Sequence, residues 1–253
     1  MIEKKILSWI KKTGFPLEME TAAAFKKANF EVLQSFIYPD SQQNKGREID
    51  VVAHDPDWLG LIEISFVLEC KSSKKPWVVL TSEDTLPYNR LLAFAISTKD
   101  AKNVMAKHLM NKEPLRDIIH SLKANGYGFH QALGNKKDEA YTAVINLAKA
   151  CTDITIERNV EGFPRIAFAF PVIVIDSPLF ECLRTDRGEI EIKEVDESSF
   201  IFSAYLPERT GCCVQVVKKE SLLPFAKRSK QLAAAIRKCL KAEEEAFLSK
   251  IDT

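Results

Sequence analysis

The first third of the chain carries one helical pattern followed by three strand-like patterns. Residues 16–29 place apolar side chains at i, i+4 and i+7 spacing, and Pro16 suits the first turn of a helix. Three runs rich in β-branched and aromatic residues follow at 30–38, 47–53 and 61–71, with turn residues between them. The pattern therefore predicts a helix and then three strands, the last apolar enough to lie inside a sheet.

The middle of the chain is less regular. We expect 77–80 to continue the third strand or to start another. The segment 86–151 predicts a mostly helical region with a glycine-containing break near 125–134. Its clearest helix is 138–150, which opens with acidic residues and has a lysine near its end, as the helix dipole favours.

The last third predicts strands and then a helix. Residues 165–176 form the most apolar run of the chain and predict a buried strand interrupted by a proline. Turn residues at 186–188 separate two further strands, and 199–206 and 212–217 predict two more. The chain closes with a basic amphipathic pattern from about 221 to 248, which predicts a helix.

Composition narrows the class of protein. The 253 residues are 46% hydrophobic and carry a net charge of +1, which excludes an intrinsically disordered chain and a simple polycationic coat for nucleic acid. No repeat or linker divides the sequence, so we expect one domain over 1–253. We see no run long enough to span a membrane, no signal peptide and no CxxC pair among the six cysteines, and we expect a cytoplasmic protein with reduced thiols and no membrane partner.

Charged residues at the end of the third strand are the first sign of chemistry. Because side chains alternate along a strand, Glu69 and Lys71 share one face, about 6–7 Å apart at their Cα atoms. In the second strand, Asp50 is expected on the face opposite Ile49 and Val51. If the two strands are neighbours, Asp50 and Glu69 converge with Lys71 beside them.

Such a group of charges has two interpretations. Two carboxylates are what Mg²⁺ takes from a protein while keeping its waters and accepting a substrate phosphate. A lysine beside them could stabilise the charge that develops on phosphorus or help to deprotonate a water. The structural alternative is an ion pair of Lys71 with Glu69 or Asp50 at the end of the sheet.

These residues, in this order, resemble a known superfamily. Glu18 in a leading helix, Asp50 in Arg-Glu-Ile-Asp-Val-Val-Ala, and Glu69-Cys-Lys71 at the end of an apolar strand are similar to the motif of the PD-(D/E)XK nucleases. The resemblance covers about 14–80 closely and the remainder by element order only.

The resemblance implies an α/β fold with a restriction-endonuclease-like core. That core consists of a helix, three strands, a helical region and a further strand, which form a central mixed sheet flanked by helices. It would span about 14–80 plus 138–178, and a C-terminal extension of strands and an amphipathic helix would occupy about 179–253.

The same resemblance implies a metal site. Asp50 and Glu69 become ligands of Mg²⁺, with Mn²⁺ as a substitute, and the backbone carbonyl of Cys70 is a further ligand. Lys71 becomes the catalytic lysine. One departure from the family pattern is the absence of a proline before Asp50.

The helix supplies the remaining acid. Glu18 would bind the metal directly or orient the site, and Glu20 is the alternative. We prefer Glu18 because Ala22 and Phe25 lie on the same edge of the helix, whereas Glu20 is followed by Lys27 at i+7.

Two basic segments are candidates for contact with nucleic acid. Lys74 and Lys75 follow the catalytic lysine. Residues 218–241 hold eight Lys or Arg against one acid, a local excess of +7. The candidates within this second segment are Lys227, Arg228 and Lys230. Its alternative is an ordinary solvated helix face above a buried apolar stripe.

The sequence therefore predicts a Mg²⁺-dependent endonuclease or related phosphodiesterase that acts on DNA. The alternatives are an RNA-directed nuclease and a non-catalytic module that binds nucleic acid or protein. The sequence also allows a homodimer, because cutting both strands of a duplex takes two active sites.

Overall fold

The computed structural model describes residues 2–40, 43–57, 60–82, 94–110, 126–134, 139–156, 165–206 and 208–251. The described helices are α1 (Ile2–Ile10), α2 (Phe15–Lys27), α3 (Lys99–Met110), α4 (Glu139–Ile154), α5 (Leu222–Cys239) and α6 (Lys241–Ile251). The described strands are β1 (Glu31–Asp40), β2 (Lys45–Asp55), β3 (Ile62–Lys71), β4 (Trp77–Thr81), β5 (Ile96–Ser97), β6 (Gly126–Gln131), β7 (Ile166–Ile175), β8 (Leu179–Arg184), β9 (Ile190–Val195), β10 (Glu197–Leu206) and β11 (Glu208–Lys218).

The strands form one mixed sheet. Its order is β1-β2-β3-β7-β11-β10-β6-β4-β8-β9. The short strand β5 lies off this path and pairs with β7. β1, β2 and β3 are antiparallel neighbours, whereas β3, β7 and β11 run parallel. The α/β class and the central mixed sheet that the sequence predicts are confirmed.

Helices cover both faces of the sheet around β7. One core joins α2, α3 and α5 to side chains such as Phe66 and Phe170. The other joins α4 to the opposite face, where Leu147 packs with Ile173. β7 is buried at every position because it lies between these two layers.

Pro171 lies inside β7 and does not interrupt it. The residue pairs with Val67 of β3 and sits where the other neighbour of β7 changes from β5 to β11. A residue that lacks an N–H is tolerated at such a gap in the ladder. The predicted interruption of this strand is therefore wrong.

The predicted break near 125–134 contains the strand β6. A Cβ on Gly126 would lie 2.4 Å from the carbonyl oxygen of Ser199, so glycine permits the close approach of β6 to β10. Parts of the predicted helical region, at 86–93, 111–125 and 135–138, lie outside the described residues. Helix α4 within it agrees with the predicted helix at 138–150.

Two further boundaries were left open or differ. The segment 77–80 starts another strand, β4, which lies between β6 and β8, and this is one of the two alternatives that the sequence predicts. The single C-terminal helix expected over 221–248 is divided at Leu240, which is fully buried and follows the end of α5. The strands predicted around the turn at 186–188 are present as β8 and β9.

The cysteines are all described and free, as the sequence predicts. Three of them, Cys151, Cys212 and Cys213, are buried. None of the helices within the described ranges combines the length and the apolar character that crossing a membrane requires.

Candidate active site

The candidate site lies where β2 and β3 diverge. Their ladder runs from Asp55 opposite Ile64 to Val51 opposite Leu68 and then stops. Beyond this point β2 stays paired with β1, while β3 stays paired with β7. We call this place, with Asp50 on one strand and 69–71 on the other, the β2/β3 fork.

The carboxylate of Asp50 closes the end of the ladder. Its Oδ2 accepts a hydrogen bond of 2.6 Å from the backbone N–H of Cys70. This side chain therefore accepts the hydrogen bond of a β3 backbone group beyond the last residue pair, and the contact fixes Asp50 beside Glu69 and Lys71.

The alternation of side chains fails at Asp50. Val51 packs in the core with α2, but Ile49 packs in the opposite core with α4. In β1, Ser35 has a φ of 52°, and the ladder passes from Gln34 to Phe36 without pairing it to Asp50. The prediction that Asp50 lies on the face opposite both Ile49 and Val51 is therefore wrong. The left-handed backbone at Ser35 leaves Ser35 and Asp50 out of the ladder, and the side chains of β2 change faces between 49 and 51.

Lys71 and Glu69 form the predicted close pair. Lys71 Nζ donates to Glu69 Oε1 over 2.6 Å, and the Glu69 side chain is 6% exposed whereas that of Lys71 is 28% exposed. The ion pair that the sequence offered as a structural alternative is therefore present. The side chain of Lys71 stays partly exposed in this pair.

Glu18 reaches the fork from α2. The helix is seated against β3, where Cys70 Sγ lies 3.5 Å from Thr21 Oγ1. Burial raises the pKa of Glu18, the negative charges of Asp50 and Glu48 raise it further, and Lys71 acts in the opposite direction. Glu18 therefore belongs to the same charge cluster as Asp50.

Glu20 lies outside that cluster. It is exposed, and its carboxylate pairs with Lys219 at 2.9 Å. Of the two helix-borne candidates, only Glu18 is grouped with the charges of the fork.

The fork holds more negative charge than Lys71 compensates. Burial raises the pKa of Asp50, while the hydrogen bond from Cys70 and the charge of Lys71 oppose that shift. Burial likewise raises the pKa of Glu69, and Lys71 only partly offsets it. Burial alone would lower the pKa of Lys71, but Glu69 and Asp50 outweigh it and the net pKa is raised, so this lysine stays protonated.

A second layer of polar residues supports Glu69 from α4. Asn146 hydrogen-bonds the carboxylate of Glu69, and its Oδ1 accepts from Arg47 Nη1 at 3.4 Å. Arg47 Nε donates to the fully buried carboxylate of Asp40 over 2.6 Å, and Lys149 Nζ donates to the same group at 2.9 and 3.0 Å. Sequence analysis missed this layer.

The local signal for that layer is the i, i+3 spacing of Asn146 and Lys149, two polar residues on a helix whose buried residues are apolar except for Asp153. The hydroxyl of Tyr38 is buried near the same charges without a hydrogen-bond partner among the described residues, and burial raises its pKa to about 12.

The loop after β3 presents lysines next to the fork. Ser72 Oγ and the N–H of Ser73 donate to Asp176 at 2.5 and 2.9 Å, which ties this loop to the end of β7. Lys74 is exposed and Lys75 half-buried, and neither forms an ion pair with any residue that the structure describes.

The basic helix α5 is different, because acids from distant segments pair with its cations. Lys230 Nζ lies 2.6 Å from Asp55, which also receives a hydrogen bond from Arg237, and Arg228 pairs with Glu197. Lys227 is exposed and makes no ion pair within the described ranges. Acidic residues that are distant in the sequence thus compensate most of the positive charge of this helix in the folded protein.

The fork suits a hard divalent cation in its charge and its donors. No group of three His, Cys, Asp or Glu side chains in the described part of the chain is arranged as a set of metal ligands. Mg²⁺, however, is commonly held by one or two carboxylates together with waters and substrate phosphate. Asp50 and Glu69 are two carboxyls at one place in the fold, and burial is the main cause of the raised pKa of each.

Comparison with known proteins does not identify a family. No family model matches the chain, and neither the curated proteins nor the solved structures give a significant match.

Proposed function

We propose that the protein is a metal-dependent nuclease that hydrolyses phosphodiester bonds in DNA at the β2/β3 fork. One observation carries the proposal: Asp50, Glu69 and Lys71 come together at the point where β2 and β3 part, and the charges of Asp50 and Lys71 act on the pKa of Glu18 in α2. The order α2, β1, β2, β3, α4 and β7 supports a restriction-endonuclease-like core around them.

Asp50 and Glu69 would hold Mg²⁺ or Mn²⁺, with the backbone carbonyl of Cys70 as a further oxygen ligand and Glu18 beside them. When bound, such a cation would supply a water of lowered pKa and would neutralise charge on the phosphate. The chain supplies the positions of the ligands: Cys70 N–H holds Asp50, while Lys71 and Asn146 hold Glu69.

Lys71 acts as a cation rather than as a base. Its raised pKa keeps the ammonium charged, and its partial exposure lets it meet a phosphate that approaches the fork. A fixed positive charge at this position stabilises the negative charge that develops on phosphorus.

The lysines after β3 extend the site toward the substrate. Lys74 and Lys75 follow Lys71 by three and four residues in the sequence and would contact backbone phosphates. On α5, Lys227 is exposed, whereas Arg228 and Lys230 would have to exchange their carboxylate partners for phosphate.

A second function, binding without cleavage, is favoured by one observation. Lys71 already donates a hydrogen bond to Glu69 Oε1, so this oxygen is not free to bind a metal. The protein would then be a module that binds nucleic acid or protein without cleaving it. Cleavage and its dependence on metal separate this hypothesis from the first.

The test is a cleavage assay on single-stranded DNA, duplex DNA, plasmid and RNA, each with Mg²⁺, Mn²⁺ or EDTA. Lys71→Ala should lower metal-dependent cleavage by about 100-fold or more. Lys102→Ala, which removes an exposed lysine of α3 near the opposite end of β7, is the matched control and should cleave like the unaltered protein. Cleavage of RNA alone would move the substrate to RNA, and equal cleavage by Lys71→Ala would refute the assigned site.

A further inference from the structure

The two edges of the sheet are built differently. The outer strand β1 contains the left-handed Ser35 and Pro39, both of which disturb an edge and prevent further pairing. The opposite edge is β9, a regular strand of six residues without proline. Among the described strands, β9 pairs only with β8.

Apolar side chains mark the free edge. Ile190 and Ile192 are 70% and 66% exposed. Across the sheet, Ile192 is in register with Cys182 of β8, which is in register with Leu80 of β4, so that a row of apolar residues runs out to the edge. Isolated exposed apolar residues are ordinary, but a row that ends at an unpaired strand indicates an interaction surface.

The backbone at this edge is oriented for pairing. The N–H of Thr185 donates to the carbonyl of Glu189 at 2.9 Å, so this pair uses the groups that face β8. Because such pairs alternate along antiparallel strands, residues 191 and 193 also face β8. The N–H and C=O groups of Ile190, Ile192 and Glu194 therefore point away from the sheet.

The side chains select one register with a second copy. If two β9 strands pair antiparallel about Ile192, Glu191 of each copy lies opposite Lys193 of the other, twice across the two-fold axis. Ile192 meets Ile192, and up to about six backbone hydrogen bonds form. Centring the pair on residue 191 or 193 would instead oppose two glutamates or two lysines.

We propose that the protein forms a two-fold homodimer in which the β9 strands of two copies pair antiparallel about Ile192 and continue the sheet. A lysine on an edge strand ordinarily blocks such pairing, but here the symmetry places a glutamate opposite it. The contact is small compared with a standard interface, so we expect dissociation in the micromolar range.

The test is sedimentation velocity from micromolar to several hundred micromolar protein. Lys193→Glu and Glu191→Lys each place like charges opposite and should weaken dimerisation about tenfold or more. The double variant Glu191→Lys/Lys193→Glu restores the complementary pairs and should dimerise again, as should an equimolar mixture of the two single variants. Lys227→Glu, with the same change of charge on α5, is the control.

Three results would overturn the proposal. These are a monomer at every concentration, a dimer that Lys193→Glu leaves intact, and a double variant that stays monomeric while its circular dichroism and melting temperature match the unaltered protein. The dimer does not depend on the nuclease assignment, since it is inferred from β9 and the strands beside it alone.

Discussion

The β2/β3 fork and the helix α5 are both clusters of charge, but they are assembled in opposite ways. At the fork, three carboxyls whose pKa values are raised interact electrostatically with one lysine. On α5, most cations meet an acid from elsewhere in the chain, such as Asp55 or Glu197. The fork is left with uncompensated charge, whereas α5 is nearly neutral where it packs.

The difference shows what each cluster does. Burying a carboxylate without full compensation costs stability, so an arrangement of this kind is expected where a ligand supplies the missing charge. A compensated cluster holds elements together. The buried Asp55 at the end of β2, for example, is bound by both Lys230 and Arg237, which fastens α5 to the sheet.

The largest effect is expected from breaking the α5 cluster. Arg237→Met leaves the carboxylate of Asp55, whose side chain is 4% exposed, with Lys230 as its one cationic partner in the described part of the chain. The free energy of unfolding should fall by about 2–3 kcal/mol, measured by urea denaturation. Lys238→Met, at an exposed position on the same helix, should change it little. Lost cleavage in fully folded Arg237→Met would contradict the division of roles.

A smaller effect is expected when the support of the fork is removed. Asn146→Ala deletes a hydrogen bond that lowers the pKa of Glu69, so that pKa should rise further and the acidic limb of the pH–rate profile should move to higher pH. Cleavage should fall about fivefold to tenfold at neutral pH. Asn103→Ala, exposed on α3, serves as the control. A uniform loss of activity without a shift of the profile would argue against a positioning role.

When metal is removed, the carboxyls of the fork should make the free energy of unfolding depend on pH. In EDTA, the raised pKa values mean that folded Glu18, Asp50 and Glu69 retain protons that the unfolded chain releases above about pH 4. The stability contributed by these groups is therefore lost as pH rises through the folded-state values.

Differential scanning calorimetry checks this expectation. Adding Mg²⁺ should raise the melting temperature more at pH 7.5 than at pH 5, because competing protons have left the carboxyls at the higher pH. An equal rise of the melting temperature at both pH values, or no rise at either, would show that Mg²⁺ does not bind at the fork.

The smallest effect distinguishes the two basic segments in nucleic-acid binding. Lys74→Ala should reduce the slope of log K against log salt by about one unit, because one phosphate contact is lost. Arg228→Ala should leave the slope nearly unchanged, since this arginine is already paired with Glu197. Fluorescence anisotropy with a labelled duplex at several salt concentrations measures both. A smaller slope for Arg228→Ala together with an unchanged slope for Lys74→Ala would instead place the phosphate contact on α5.

Local patterns were sufficient to predict the charges of the fork. Glu69 and Lys71 lie two residues apart on one strand, so alternation alone places them together. The position of Asp50 followed from pairing of adjacent strands, although its exact orientation did not. That orientation depends on the backbone of Ser35 in the neighbouring strand, and a serine with positive φ leaves no mark in the sequence.

Contacts between distant segments were not predictable in this way. Asn146 is 99 residues from Arg47, and Lys230 is 175 residues from Asp55. Counting charges along the chain therefore overestimated the positive field of α5. The strand β6 was missed for a related reason: Gly126 resembles a helix breaker until β10 is known to pass close to it.

The most direct test of the account is calorimetric titration of the metal-free protein with Mn²⁺, together with Asp50→Asn and Glu20→Gln. The asparagine retains an oxygen to accept from Cys70 N–H, so the variant should fold while losing a charged ligand. The account predicts that Mn²⁺ binds the unaltered protein and Glu20→Gln equally, and Asp50→Asn at least about tenfold more weakly. Equal binding by Asp50→Asn, or no binding by the unaltered protein, would contradict a metal site at the fork.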